Sequence, residues 1–178
     1  MDNNWKTISS KEIFSHPRLT LIEDEVELPS GDKTAYIKYK LEWNAATVIA
    51  RRDDGKILVQ KELSYPTGKF LLQFPGGAVP LGEPMEIGAN RELMEEGKMK
   101  AGKLELLGTY YVNNRRTDAK MFVYLATDLR EESLPCDPEE FLESFWFSEE
   151  EIDMMIKEGK IENSHLLASW LLYKAKTN

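Results

Sequence analysis

Apolar and polar positions alternate in short runs over the first third of the chain. Residues 19–22, 26–28 and 34–39 carry strand-like alternation, and the break Pro29-Ser30-Gly31-Asp32 predicts a hairpin between extended arms. Residues 46–50 and 57–59 predict a second strand pair across Arg51-Arg52-Asp53-Asp54-Gly55, whose Asp-Gly step suits a tight hairpin. The apolar run 70–74 predicts a strand that ends at Pro75-Gly76-Gly77, since proline lacks a ladder donor and glycine accepts turn geometry. Over 84–96 the period becomes helical, with Pro84 and Glu86 in the first turn as helix starts favour. Strand character returns at 104–112 and 121–126 around the polar loop 113–120, and again at 145–147 after a loop at 131–139. Two helices close the chain. Ser148 and Glu151 form a capping box for 148–158, Gly159 stops that helix, and 164–174 places Trp170 in the core. The sum is an α/β (α+β) fold, a mixed β-sheet with helices and an N-terminal β-strand arm.

Composition narrows the partners. A chain of 178 residues with 42% hydrophobic content supports one folded domain plus a short arm. The formal net charge of -8 and a pI near 5.0 argue against long nucleic acid and anionic membranes as partners. Cys136 is the single cysteine, which excludes an intrachain disulfide and a cysteine zinc cluster. The polar start has no basic-then-apolar leader and no run is long enough to span a bilayer, so a cytoplasmic location is expected. His16 and His165 stand alone and read as structural or surface residues.

The chemistry concentrates between Gly77 and Glu96. On a helix turning about 100° per residue, Glu92, Glu95 and Glu96 share about a third of the circumference, while Ile87, Leu93 and Met94 lie opposite for burial. Like charges so close repel one another by a few tenths of a kcal/mol per pair even when exposed. Hard divalent cations that take oxygen ligands offset that repulsion. A solvated acidic face is the other reading of these three residues taken alone.

The spacing Gly77-x5-Glu83-x7-Arg91-Glu92-x-x-Glu95-Glu96 resembles nearly all of the Nudix box. The box ordinarily continues x-Gly-apolar, whereas here Gly97-Lys98-Met99 brings glycine one position early and predicts a left-handed helix end at Gly97. Further segments, Glu42-Trp43-Asn44-Ala45-Ala46-Thr47-Val48, Leu72-Gln73-Phe74-Pro75-Gly76-Gly77 and Phe145-Trp146-Phe147-Ser148-Glu149-Glu150-Glu151, are similar to the ADP-ribose and nucleoside-diphosphate-sugar pyrophosphatase branch.

That resemblance implies a Nudix fold, with the mixed sheet sandwiched between helices, and hydrolysis of a diphosphate in a small nucleotide to NMP and a sugar phosphate. It implies Mg²⁺, with Mn²⁺ an alternative, as two or three ions on Glu92, Glu95, Glu96 and the Gly76 carbonyl. Arg91 orients those glutamates, Glu83 and Gly77 support the motif, and Glu140, with Glu139 second, supplies a further metal ligand or base. A box glutamate is the other candidate base. Arg115 and Arg116 are candidates to grip the diphosphate, and Trp43 and Tyr65 to stack on a base. The branch often carries Gln-Tyr-Arg and a glutamate where this chain has Glu62-Leu63-Ser64 and Gln73, so ADP-ribose is the leading substrate within a wider class. The division expected is an arm of residues 1–43 that forms a homodimer and a hydrolase domain of residues 44–178. Action on dinucleotides, NADH or nucleoside triphosphates is the alternative within the family, and a catalytically silent nucleotide sensor is the alternative outside enzymes.

Overall fold

The computed structural model describes residues 4–136 and 142–177. Along the chain run β1 (Lys6–His16), β2 (Leu19–Glu27), β3 (Lys33–Lys40), β4 (Trp43–Ala50), β5 (Ile57–Ser64), β6 (Lys69–Gln73), β7 (Gly76–Pro80), α1 (Met85–Glu96), β8 (Met99–Tyr111), β9 (Lys120–Glu131), β10 (Leu142–Phe147), α2 (Glu149–Lys157) and α3 (Ser164–Thr177). The first three strands make an antiparallel sheet in the order β1-β2-β3. The runs 19–22 and 26–28 belong to one strand, β2, and β1 is a strand that the sequence did not suggest. Every residue of β1 is exposed and its apolar positions do not alternate, so its extended form comes from the ladder with β2, not from a buried face.

The central sheet has the order β7-β4-β9-β8, with β4 antiparallel to β7 and parallel to β9. A third sheet has the order β10-β5-β6. The expected hairpin of 46–50 with 57–59 is not a ladder, and only an isolated bridge joins Arg51 to Ile57. Both edges of β4 are already taken by β7 and β9, so β5 turns away after the Asp-Gly step into another sheet. The expected end of strand pairing at the glycines also differs: Gly76 begins β7, paired with Thr47.

Alternation along β4 divides the core. Ile49 joins Val59, Phe74, Val123, Leu166, Trp170 and Tyr173 on the side of α3, while Val48 joins Leu58, Val79, Leu93 and Tyr124 on the side of α1. Each large aliphatic buried this way contributes about 1.5–3 kcal/mol. Trp170 also donates from Nε1 to Asp153 at 2.7 Å, which ties α3 to α2, and Ser148 caps α2 through the expected box. No helix among the described residues is long and apolar enough to cross a membrane.

The end of α1 differs from its sequence expectation. Gly97 keeps right-handed helical geometry (φ −87°), and Lys98 takes the left-handed conformation instead (φ 53°). Glycine is required at position 97 by space, since a Cβ would stand 2.8 Å from the Leu93 carbonyl and 2.9 Å from a Leu58 methyl. Lys98→Gly should therefore stabilise the fold by roughly 0.5–1 kcal/mol, the left-handed cost less the extra freedom of unfolded glycine, seen as a Tm higher by a few degrees.

The arm has its own electrostatic lock. Asp24, 3% exposed, accepts from Lys38 Nζ and from Ser10 Oγ at 2.6 Å, and these contacts hold its carboxyl below the usual range. A depressed folded pKa stabilises above the unfolded value near 3.9, and that contribution is lost as pH falls through the folded value. Asp24→Asn should lower the unfolding midpoint at pH 7, and the gap to the parent chain should narrow steadily as pH falls below about 3.9; a gap that does not narrow there counts against the lock.

Candidate active site

The side of α1 turned to the sheet is made of Gly88, Ala89, Glu92, Leu93 and Glu96. Small residues admit β7 closely, and two carboxylates lie under it, with Glu92 8% and Glu96 7% exposed. Ile87, expected inside, is 60% exposed, because the acidic stripe and not the Ile87 side meets the Gly76-Gly77 turn. Gly76 donates its N–H to Glu96 Oε2 at 3.0 Å. A Cβ at Gly76 (φ 153°) would overlap the Ala46 carbonyl, and one at Gly77 would stand 2.5 Å from Glu92 Oε2. Gly76 is thus needed for β7 to approach the β4 backbone, and Gly77 for the backbone to approach the Glu92 carboxylate.

Arg91 gathers the rest. Its Nη1 donates to Glu92 Oε1 at 2.7 Å and to Glu95 Oε2 at 2.9 Å, its Nε stands 3.5 Å from Glu83 Oε1, and Nη2 reaches the Ala78 carbonyl at 3.3 Å. Partial burial works against its charge, yet the Glu92 carboxylate, with Glu95 and Glu83 behind it, raises its pKa above the ordinary value. At the start of α1, burial and then the Glu86 carboxylate push the Tyr124 phenol up to about 12, so it stays protonated and fastens helix to sheet.

No group of three or more His, Cys, Asp or Glu side chains is arranged as a finished metal cage among the described residues. The donor set nevertheless fits a hard divalent cation. Glu92 and Glu96 lie against the Gly76-Gly77 backbone, and Glu83, Glu92 and Glu95 share the one Arg91 guanidinium, so the group has net negative charge. Glu139 and Glu140 lie outside the described residues.

Two hollows adjoin this stretch. A cleft of about 100 Å³ opens at the glycine turn, lined by Thr47, Gln73, Gly76, Gly77, Asn163 and His165 among others. A larger cavity of about 520 Å³ lies between the arm and the β8–β9 loop, and Arg115 and Arg116 line it with Tyr36, Lys38, Lys40 and Tyr111. Arg116 donates from Nη1 to the Ile37 carbonyl at 2.8 Å, Lys38 pairs with Asp24, and Lys40 pairs with Glu42. Among the described residues no group pairs with the Arg115 guanidinium. Met121, which lines the cleft, follows Lys120, whose strand partner Tyr111 lines the cavity, and the two hollows share no lining residue.

Trp43 is half-buried against the core beside Pro80, and Tyr65 is 90% exposed in the β5–β6 turn; neither lines these hollows. The arm residues of the cavity went unread in the sequence, although Tyr36, Lys38 and Lys40 at every second position share one strand face. His165, read from the sequence as a structural or surface residue, lines the cleft, and no sequence signal marks that position because its neighbours across the cleft come from distant segments. Burial lowers its pKa, which keeps the ring neutral.

Residues 42–170 match the NUDIX domain model, and residues 5–36 match the nucleoside diphosphate sugar hydrolase N-terminal domain model. The chain belongs to the NUDIX family of hydrolases, as its box indicated. It is 34% identical over 142 residues to the ADP-ribose pyrophosphatase of Bacillus subtilis (strain 168), covering 78% of this chain and 75% of that protein. It is 30% identical over 163 residues to the methanol dehydrogenase activator of Bacillus methanolicus, covering 89% and 86%. A crystal structure of an ADP compounds hydrolase shares the fold with a TM-score of 0.88 at 20% identity, over 96% of this chain and 92% of that one.

Gly77→Ala tests the seat of Glu92. The added methyl displaces the carboxylate, so Mn²⁺ affinity followed by paramagnetic resonance should fall about tenfold or more while the chain stays folded. Unchanged affinity separates Glu92 from ion binding.

Proposed function

We propose that this chain hydrolyses the diphosphate bond of a nucleoside-diphosphate sugar, ADP-ribose first among them, to NMP and a sugar phosphate with Mg²⁺. The observation that carries the reading is the buried carboxylate group of α1, positioned by Arg91 and by the Gly76 N–H beside a cleft. The ADP-ribose pyrophosphatase relative supports the same substrate class.

Glu92, Glu95, Glu96 and the Gly76 carbonyl hold the divalent ions in this reading. Mg²⁺ bound there supplies neutralisation of the diphosphate and a lowered pKa for water. The protein does the remaining work. Arg91 fixes the Glu92 and Glu95 oxygens against mutual repulsion, and the Gly76 N–H fixes Glu96. Water adds its oxygen to one phosphorus, the bridging P–O bond breaks, and a carboxylate of Glu140, Glu139 or the box takes the proton. The cavity lined by Arg115, Arg116 and the tyrosines suits the rest of the nucleotide, with Arg115 offered to phosphate and aromatic faces to the base. We further propose a homodimer formed through the arm of residues 1–43, whose exposed Trp5, Ile8, Ile13 and Phe14 call for cover.

A panel of nucleoside-diphosphate sugars, dinucleotides and triphosphates with Mg²⁺ tests the activity. Release of NMP and phosphosugar is expected. Release of pyrophosphate from triphosphates would redirect the reading within the family, and no turnover of any diphosphate would favour a sensor. Glu96→Gln, whose amide oxygen still accepts from Gly76, should lose about two orders of magnitude in kcat/KM or more without unfolding.

A further inference from the structure

The cleft at the glycine turn has a wall that the box does not supply. His165, near the start of α3, faces it together with Asn163 and Gln73. Its ring stacks on Tyr110 with centroids 5.9 Å apart and planes at 18°, which fixes the imidazole plane. Below the ring, Asn163 Oδ1 accepts from the backbone N–H of His165 at 2.9 Å and of Leu166 at 3.3 Å, which fixes the backbone that carries it.

The tautomer follows from proton counting. The Tyr110 hydroxyl has one proton, and it donates to the His165 carbonyl at 3.1 Å. With that proton on the carbonyl, the nearest of three candidate partners and one that can only accept, His165 Nδ1 at 3.3 Å and Ser169 Oγ at 3.4 Å meet the hydroxyl oxygen as donors; with the proton turned toward Nδ1 the imidazole has the other tautomer. A neutral imidazole with its proton on Nδ1 has an acceptor lone pair on Nε2. Gln73 adds a second acceptor, since its Nε2 donates to Glu62 Oε2 at 2.6 Å and its carbonyl oxygen remains. Acceptors repel phosphoryl oxygens and take hydroxyl protons. The cleft, at about 100 Å³, is much smaller than the cavity of about 520 Å³ beside the arm, so it suits the smaller part of the substrate.

We propose that His165 is a specificity-determining residue whose Nε2 accepts a hydrogen bond from a hydroxyl of the sugar attached to the diphosphate, beside the Gly76-Gly77 turn. This rests on the hydrolase reading above, and its failure can be told apart from failure of that reading.

Two measurements test it. The chain has two histidines, so long-range nitrogen–proton correlation spectra of the labelled protein, with His16→Gln for assignment, report each imidazole separately. An Nδ1-protonated His165 is expected, and an Nε2-protonated ring overturns the proposal. For function, His165→Leu keeps bulk and removes the acceptor, and His165→Gln restores one. The leucine variant should lose tenfold or more in kcat/KM on ADP-ribose, mainly through KM, with partial recovery in the glutamine variant. On the β-methyl ester of ADP, which has the diphosphate and no second sugar, both should match the parent. Equal losses on the two substrates, or none on either, overturn the proposal while leaving the hydrolase intact. Should the leucine variant not fold, the tautomer and the glutamine variant still decide. An absence of turnover by the parent on every diphosphate is the separate failure of the hydrolase reading.

Discussion

Two carboxylates pressed between a helix and a glycine turn set the terms for the rest of this molecule. Burying ionised glutamates costs several kcal/mol each unless partners replace water. The Arg91 guanidinium and the Gly76 N–H are such partners, held by α1 and β7 within one small volume. An ion pair of this kind gains little over well-packed apolar residues, so stability alone does not account for it. Its retention, with glycines where any side chain would push Glu92 aside, makes sense as preparation for a cation and a phosphate.

The same geometry explains which parts were legible in the sequence. The α1 helix, its glutamates and their arginine were readable because fixed spacing on one helix is local information. The cap at Ser148 and the burial of Trp170 were readable for the same reason. Partnership across the chain was not. β4 and β5 meet at a hairpin-like turn yet enter different sheets, a choice made by β7 and β9 occupying both edges of β4. β1 lacks a buried face and left no pattern to read. Ile87 misled for a related reason: burial on α1 follows contact with the turn, and that contact favours Gly88, Ala89 and glutamate over a larger apolar side chain.

The candidate site divides along the same line. Its carboxylate half lies in one continuous motif, whereas the two hollows are assembled from β3, the β8–β9 loop and the start of α3, among other segments. The lining residues are scattered along the chain and leave no such continuous pattern.

The arm and the β8–β9 loop are stitched together by main-chain atoms: Tyr39 donates its N–H to the Arg116 carbonyl at 2.8 Å, and the Tyr36 hydroxyl donates to the Arg115 carbonyl at 2.5 Å. Any tilt of the arm is thereby transmitted to the arginine-bearing loop without an intervening hinge. Where gripping the arm alters affinity in the cavity, thermodynamic reciprocity requires a guest in the cavity to alter the grip on the arm by the same free energy.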